Sequence, residues 1–132
     1  MADYIPALSE VNPHQYGIAV ETLDGRSCSV GDAGECFSIK SISKVFSLEM
    51  VTRRMGDRIW EAVAREPSGP PFNSLVQLEY ERGIPRNPFI NAGALVVTDR
   101  LMSLYEHPKS AILDFVRELC GNKDIYYDMT IA

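Results

Sequence analysis

Histidine and tryptophan are nearly absent from this chain: two His and one Trp in 132 residues. His14 and His107 stand far apart, and no zinc-ligand spacing links them to the cysteines. Cysteine is also scarce. Cys28, Cys36 and Cys120 are odd in number and irregularly spaced, so they read as free thiols of a reducing, cytoplasmic compartment rather than a disulfide framework. No basic run exists and the net charge is −5, which argues against nucleic acid as a partner. The apolar runs are far too short to span a bilayer. The opening residues, Met1-Ala2-Asp3-Tyr4, show neither the basic region nor the apolar stretch of a signal peptide. No repeat or low-complexity tract is visible. What remains is 45% hydrophobic composition, enough for one domain with one core.

Against that plain background one stretch carries chemistry, Phe37-Ser38-Ile39-Lys40-Ser41-Ile42-Ser43-Lys44-Val45. Ser41 and Lys44 form a Ser-x-x-Lys. Residues three apart on a helix are neighbours on one face, so a hydroxyl meets an amine. A serine beside an amine base is a nucleophile with a proton acceptor, the signature of acyl-serine enzymes. The spacing alone is weak, since composition yields about a third of such a match in a chain of this size. The context is stronger. On a helix over residues 41 to 55, Leu48, Val51 and Met55 form an apolar stripe flanked by Val45. Ser41 and Lys44 lie at the N-terminal end of that stripe, so two polar residues point towards the core, where polar groups need a reason. Gly31, Asp32 and Gly34 precede the helix as loop residues, and Ser38 is a candidate cap. A serine in the first turn has free backbone N–H groups nearby, suited to an oxyanion. The helix dipole and burial together lower the pKa of Lys44. The plainer reading is a capped surface helix with a snorkelling lysine.

The rest of the chain reads as an α+β arrangement. Pro6 starts a short helical turn. Tyr16 to Leu23 reads as a strand, Asp24-Gly25 as a tight turn, and Arg26 to Val30 as the return strand, closed by Gly31-Asp32. The Ser-x-x-Lys helix follows over roughly 39 to 55 and ends at Gly56. Asp57 to Ala64 is a short helix, broken by the stiff loop Arg65-Glu66-Pro67-Ser68-Gly69-Pro70-Pro71. Phe72 to Tyr80 is a strand or extended segment, and Glu81 to Pro88 a further loop. A helix opens at Asn91, whose simplest role is an N-cap, and runs to about Tyr105. Gly93 in that helix admits a close backbone or ligand. Pro108 introduces a last helix, about 109 to 120, stopped by Gly121-Asn122. Taken alone, Tyr4 is a half-buried anchor.

Several of these pieces, in this order, resemble the serine-dependent glutaminases. They are Asp3-Tyr4-Ile5-Pro6, Asp24-Gly25, Gly31-Asp32, Phe37-Ser38-Ile39, Ser41-Ile42-Ser43-Lys44-Val45, Glu66-Pro67-Ser68-Gly69 and Phe72-Asn73. The longest is Gly83-Ile84-Pro85-Arg86-Asn87-Pro88-Phe89-Ile90-Asn91-Ala92-Gly93-Ala94. The resemblance implies a β-lactamase-like fold and hydrolysis of L-glutamine to L-glutamate and ammonia. It implies Ser41 as nucleophile, Lys44 as its proton acceptor, Tyr4 at the border of the glutamine pocket and Asn91 on the amino-acid end of the substrate. It implies no metal or organic cofactor, and a homo-oligomer. Three departures stand out. Lys40 occupies the place where the family often has Gln, and a second cation there bears on Lys44. The chain begins at Met1 where the family has upstream sequence. It stops at Ala132, before the half that brings the family a glutamate, an asparagine, two tyrosines and a Lys-Ser-Gly strand. Residues 1–132 are therefore expected to be the N-terminal part of one longer glutaminase domain. Two other readings remain: a non-catalytic remnant that binds a small amino acid or a partner protein, and a penicillin-binding or β-lactamase-type acyl-serine enzyme. The latter needs a Ser-Asp-Asn-like element after the helix, and none is present.

Overall fold

The computed structural model describes residues 5–69 and 81–131. The segment read as a strand or extended stretch, Phe72 to Tyr80, lies outside the described residues, as does Tyr4. The chain divides into two compact units, one of Met1–Ser38 with Tyr127–Ala132, the other of Ile39–Tyr126.

The first unit holds a short helix, α1 (Pro6–Ser9), and two antiparallel strands, β1 (Gly17–Glu21) and β2 (Ser27–Gly31). The hairpin stands where the alternation places it, but its turn is longer. Thr22 N–H donates to the Arg26 carbonyl (2.9 Å) and Gly25 N–H to the Thr22 carbonyl (2.9 Å). The loop is therefore Leu23-Asp24-Gly25, three residues rather than two. Gly25 sits at φ +80°, the left-handed position that ends such a loop. Asp32 closes the other end: its N–H donates to the Tyr16 carbonyl (2.9 Å), and its carboxylate accepts from Tyr16 N–H (2.8 Å). Ile18 pairs with Val30 and Val20 with Cys28, which puts three aliphatic side chains on one face. That face is bare, with Ile18, Val20 and Val30 respectively 44%, 52% and 64% exposed.

The second unit is helical. A 3₁₀ turn, Lys40–Ile42, runs into α2 (Ser43–Met55), and a second 3₁₀ segment follows over Gly56–Glu61. Then come α3 (Asn91–Leu104) and α4 (Pro108–Cys120). Gly56 at φ +59° ends α2, and Gly121 in the left-handed conformation ends α4, as their positions in the sequence suggest. The core joins Met50 and Val51 of α2, Ile59 and Val63, and Val97 and Leu101 of α3. Leu48, Met55, Ile112 and Phe115 pack around it. Arg53 lies over the Phe115 ring at 5.0 Å and Arg54 over the Tyr105 ring at 5.4 Å, so two charged residues roof the core with their stems.

The approach to α3 is fixed by backbone contact. Ala64 N–H donates to the Pro85 carbonyl and Glu66 N–H to the Arg86 carbonyl, both at 2.8 Å. Arg86 is ion-paired with Glu81 and donates to the Pro67 carbonyl (3.3 Å). The loop so held passes directly over Gly93: a Cβ there would stand 1.9 Å from the Asn87 carbonyl oxygen and 2.9 Å from the Pro88 Cα. Both atoms are backbone, so neither can swing away. Gly93→Ala gains up to ~1 kcal/mol of helix propensity but forces an overpacked contact of ~1–3 kcal/mol or more. The expected result is a net loss of stability, seen as a lower urea midpoint at unchanged slope.

Candidate active site

Three elements of the second unit meet at one amine. Lys44 is the second residue of α2. On a helical wheel it stands ~20° from Val51, so the sequence phase places it on the face that meets α3. The core ends before it, and Lys44 is partly buried at the edge. Its Nζ donates to the Asn91 Oδ1 at 2.7 Å and to the Phe89 carbonyl at 3.0 Å. Burial holds the amine below the ordinary lysine value. The lowered value agrees with the sequence reading, with desolvation as its cause.

Asn91 departs from its simplest expectation. The N-cap of α3 is Ile90, in extended conformation, and Asn91 is the first helical residue. Its side chain makes no cap; it turns to Lys44 instead. An ammonium or amine offers only donors in these two bonds, so the Asn91 oxygen must face it. Ser38 likewise is not a cap: Ile39 precedes the 3₁₀ turn and Ile42 precedes α2, neither with a side-chain cap bond.

Ser41 sits in the 3₁₀ turn, one turn before Lys44 along a continuous winding. It is exposed and does not point into the core, which corrects the inward placement expected from the stripe. The reason is that the packed stripe begins only at Leu48, a full turn beyond Lys44. No hydrogen bond joins Ser41 to Lys44 among the described residues; the Lys44 amine donates instead to the Phe89 carbonyl and Asn91 Oδ1 at the start of α3. Lys40, just before Ser41, has φ +46°. That left-handed region costs a non-glycine residue ~1–2 kcal/mol, and such outliers gather at functional sites.

Beside Lys44 an open cleft of about 460 Å³ runs between α2 and α3. Ser43, Lys44 and Ser47 line one side, and Asn91, Leu95 and Thr98 the other. Its size suits a small molecule, and its wall mixes polar side chains with Ala94, Leu95 and Val97. The Ser47 and Thr98 hydroxyls donate to carbonyls of their own helices, those of Ser43 (3.3 Å) and Ala94 (2.8 Å). Those two hydroxyls can therefore only accept from a ligand, while Lys44 and Asn91 offer donors.

The sequence thus brings Lys44 and Asn91 together across 47 residues, places Ser41 one turn away, and leaves Tyr4 outside the described residues. What it missed is the Phe89 carbonyl, a backbone group with no residue-type signal. The available clue was Asn87-Pro88, a dipeptide that favours a turn just before α3.

Comparison with known proteins gives the family. The family model described as Glutaminase matches residues 1–132. The chain is 56% identical to a glutaminase of Salmonella agona, 57% to one of Pseudomonas savastanoi pv. phaseolicola and 58% to one of Cronobacter sakazakii. In each case all of the chain is covered, and it spans 43%, 44% and 43% of the relative's length. Among solved structures, a probable glutaminase is matched over 97% of the chain and 42% of its own, with TM-score 0.87 and 31% identity. A Bacillus glutaminase is matched over 95% of the chain and 43% of its own, with TM-score 0.78 and 32% identity. The hairpin followed by helices is accordingly part of the β-lactamase-like fold of these enzymes, and the chain belongs to the glutaminase family.

Proposed function

We propose that this chain carries the nucleophile and base of an enzyme that hydrolyses L-glutamine to L-glutamate and ammonia, as one part of a single longer domain. The observation that supports it most is the Lys44 amine, partly desolvated and held, among the described residues, by two acceptors. A neutral amine has two N–H groups and one lone pair. The Phe89 carbonyl and Asn91 Oδ1 take the two N–H groups, and the lone pair is left to accept the Ser41 proton. Ser41 Oγ then bonds to the side-chain amide carbon of glutamine. The proton passes from Lys44 to the leaving nitrogen, and ammonia departs from a glutamyl ester of Ser41. Water hydrolyses that ester to glutamate and frees the serine.

In this reading Asn91 has two tasks. Its oxygen positions Lys44, and its amide nitrogen is a donor suited to the substrate carboxylate. For Tyr4, outside the described residues, the pocket-bordering role rests on the resemblance alone, and in this reading neither a metal nor an organic cofactor takes part. Asn91→Ala, in a full-length glutaminase carrying these 132 residues, is expected to raise KM and lower kcat together. It should leave the melting temperature almost unchanged, because no cap bond is lost. Steady-state kinetics and thermal unfolding on one preparation check this. A drop of ~1 kcal/mol in stability with kinetics intact would return Asn91 to a capping role. The pH dependence follows from the amine. Raising the pH populates neutral Lys44, so kcat/KM should climb with pH towards an apparent pKa below the ordinary 10.5.

A second reading applies to the 132 residues by themselves. The cleft is open and no Ser41–Lys44 hydrogen bond is present, which favours binding of a small amino acid or a partner without turnover. The bare aliphatic face of β1 and β2 supports self-association as part of the same proposal.

A further inference from the structure

The loop between residues 85 and 90 does more than lead into α3. Asn87 bonds at both ends of its side chain. Its Oδ1 accepts from the Phe89 N–H at 2.8 Å, and its Nδ2 donates to the Glu66 carbonyl at 3.0 Å. Its own carbonyl lies against Gly93, where even a Cβ would not fit. The first bond spans two residues, the Asx-turn pattern that lets Asn fold the backbone after it. Pro88 between them is buried and has its φ set by its ring. The next residue is Phe89, whose carbonyl accepts from Lys44 Nζ. Ile90 beyond it is buried and extended as the N-cap of α3. The Phe89 carbonyl is thus aimed by Asn87 on one side and by the helix start on the other.

We infer that Asn87 is a positioning residue for Lys44: its Asx turn orients the Phe89 carbonyl that holds the lysine amine. This rests on the reading of Lys44 as the base and adds a residue that touches neither substrate nor reacting atoms. Without the turn, Phe89 keeps a carbonyl but loses its aim. The amine then swings, and proton transfer from Ser41 suffers while glutamine still finds its pocket.

The two side-chain bonds of Asn87 can be separated. Asn87→Ala removes both. Asn87→Asp keeps an acceptor for the Phe89 N–H but removes the donor to the Glu66 carbonyl. In a full-length glutaminase carrying these residues, assayed well below each variant's melting temperature, Asn87→Ala should lower kcat about 10- to 100-fold. Its KM for glutamine should stay within about twofold of the parent. Asn87→Asp should melt lower than the parent, having lost the tie to Glu66, yet keep kcat within about threefold. The inference is overturned if Asn87→Ala retains the parent kcat, or if Asn87→Asp is as slow as Asn87→Ala, which would make the Glu66 tie a structural requirement only. Lys44→Ala in the same series separates the two levels. An inactive Lys44→Ala beside a fully active Asn87→Ala ends this inference alone. An active Lys44→Ala ends the reading of Lys44 as base and this inference with it.

Discussion

Ser41→Ala, in a full-length glutaminase carrying these residues, is expected to lose glutamine hydrolysis by at least about 10,000-fold with its fold intact. The substitution removes one oxygen. Ser41 is exposed and outside the core, and no bond to Lys44 depends on it, so stability should change by less than ~0.5 kcal/mol. Lys44→Ala should come close to the same loss of rate, since a serine without its base is an ordinary alcohol at neutral pH. The double substitution should be scarcely worse than either single one, because the two act as a unit. Lys44→Ala differs in its structural effect: it leaves the Phe89 carbonyl and Asn91 Oδ1 without their shared donor. Both acceptors are open to water, so this adds little. Ammonia release and thermal unfolding on the three proteins check the set. Near-parent ammonia release by Ser41→Ala would remove the serine from the mechanism.

Residues 1–132 alone are expected to release no measurable ammonia from glutamine and to self-associate. Both expectations come from uncovered surface. Ile18, Val20 and Val30 form an exposed aliphatic face on the hairpin. A lone two-stranded hairpin is marginal in water and gains from a third strand or a covering layer. In the second unit Leu95 and Met102 of α3 are 69% and 64% exposed. Patches of this kind mark interaction surfaces. Catalysis suffers from the same openness. A cleft open to water screens any charge that develops at the amide, and an amine only partly buried has its pKa lowered less by desolvation than one in a closed site. The chain spans 43–44% of the curated relatives it matches, and in a protein of their full length other residues can supply that cover. Light scattering and an ammonia assay on the purified chain test both parts. A monodisperse, active monomer would contradict them.

Much of this structure is legible in the residue order because local chemistry and global packing agree. Alternating residues around Asp24-Gly25 specify a hairpin, and Gly56 and Gly121 stop their helices where left-handed backbone is needed. The apolar phase of α2 also places Lys44 on the face that meets α3. Four features were not legible, each for a physical reason. The burial of Met50 depends on partners, Ile59 and Val97 among them, that helical phase alone does not reveal. Ser41 is exposed because packing begins only beyond the first turns of α2, and periodicity says which face turns inward but not where the neighbour starts. Asn91 has every property of an N-cap in sequence, yet Ile90 takes that position and the side chain is recruited by an amine 47 residues away. Lys40 in left-handed backbone has no residue-type signal, since lysine does not favour that region.

The central claim is that Ser41 attacks and Lys44 takes its proton. The most direct measurement is to treat a full-length glutaminase carrying these residues with a glutamine analogue whose side-chain amide is replaced by a halomethyl ketone, which loses halide as the serine oxygen is alkylated, then locate the stable adduct by peptide mass spectrometry. The account predicts one adduct, on the peptide containing Ser41 and on the Ser41 oxygen, formed far more slowly in the Lys44→Ala protein. An adduct on any other residue, with Ser41 unmodified, would contradict it.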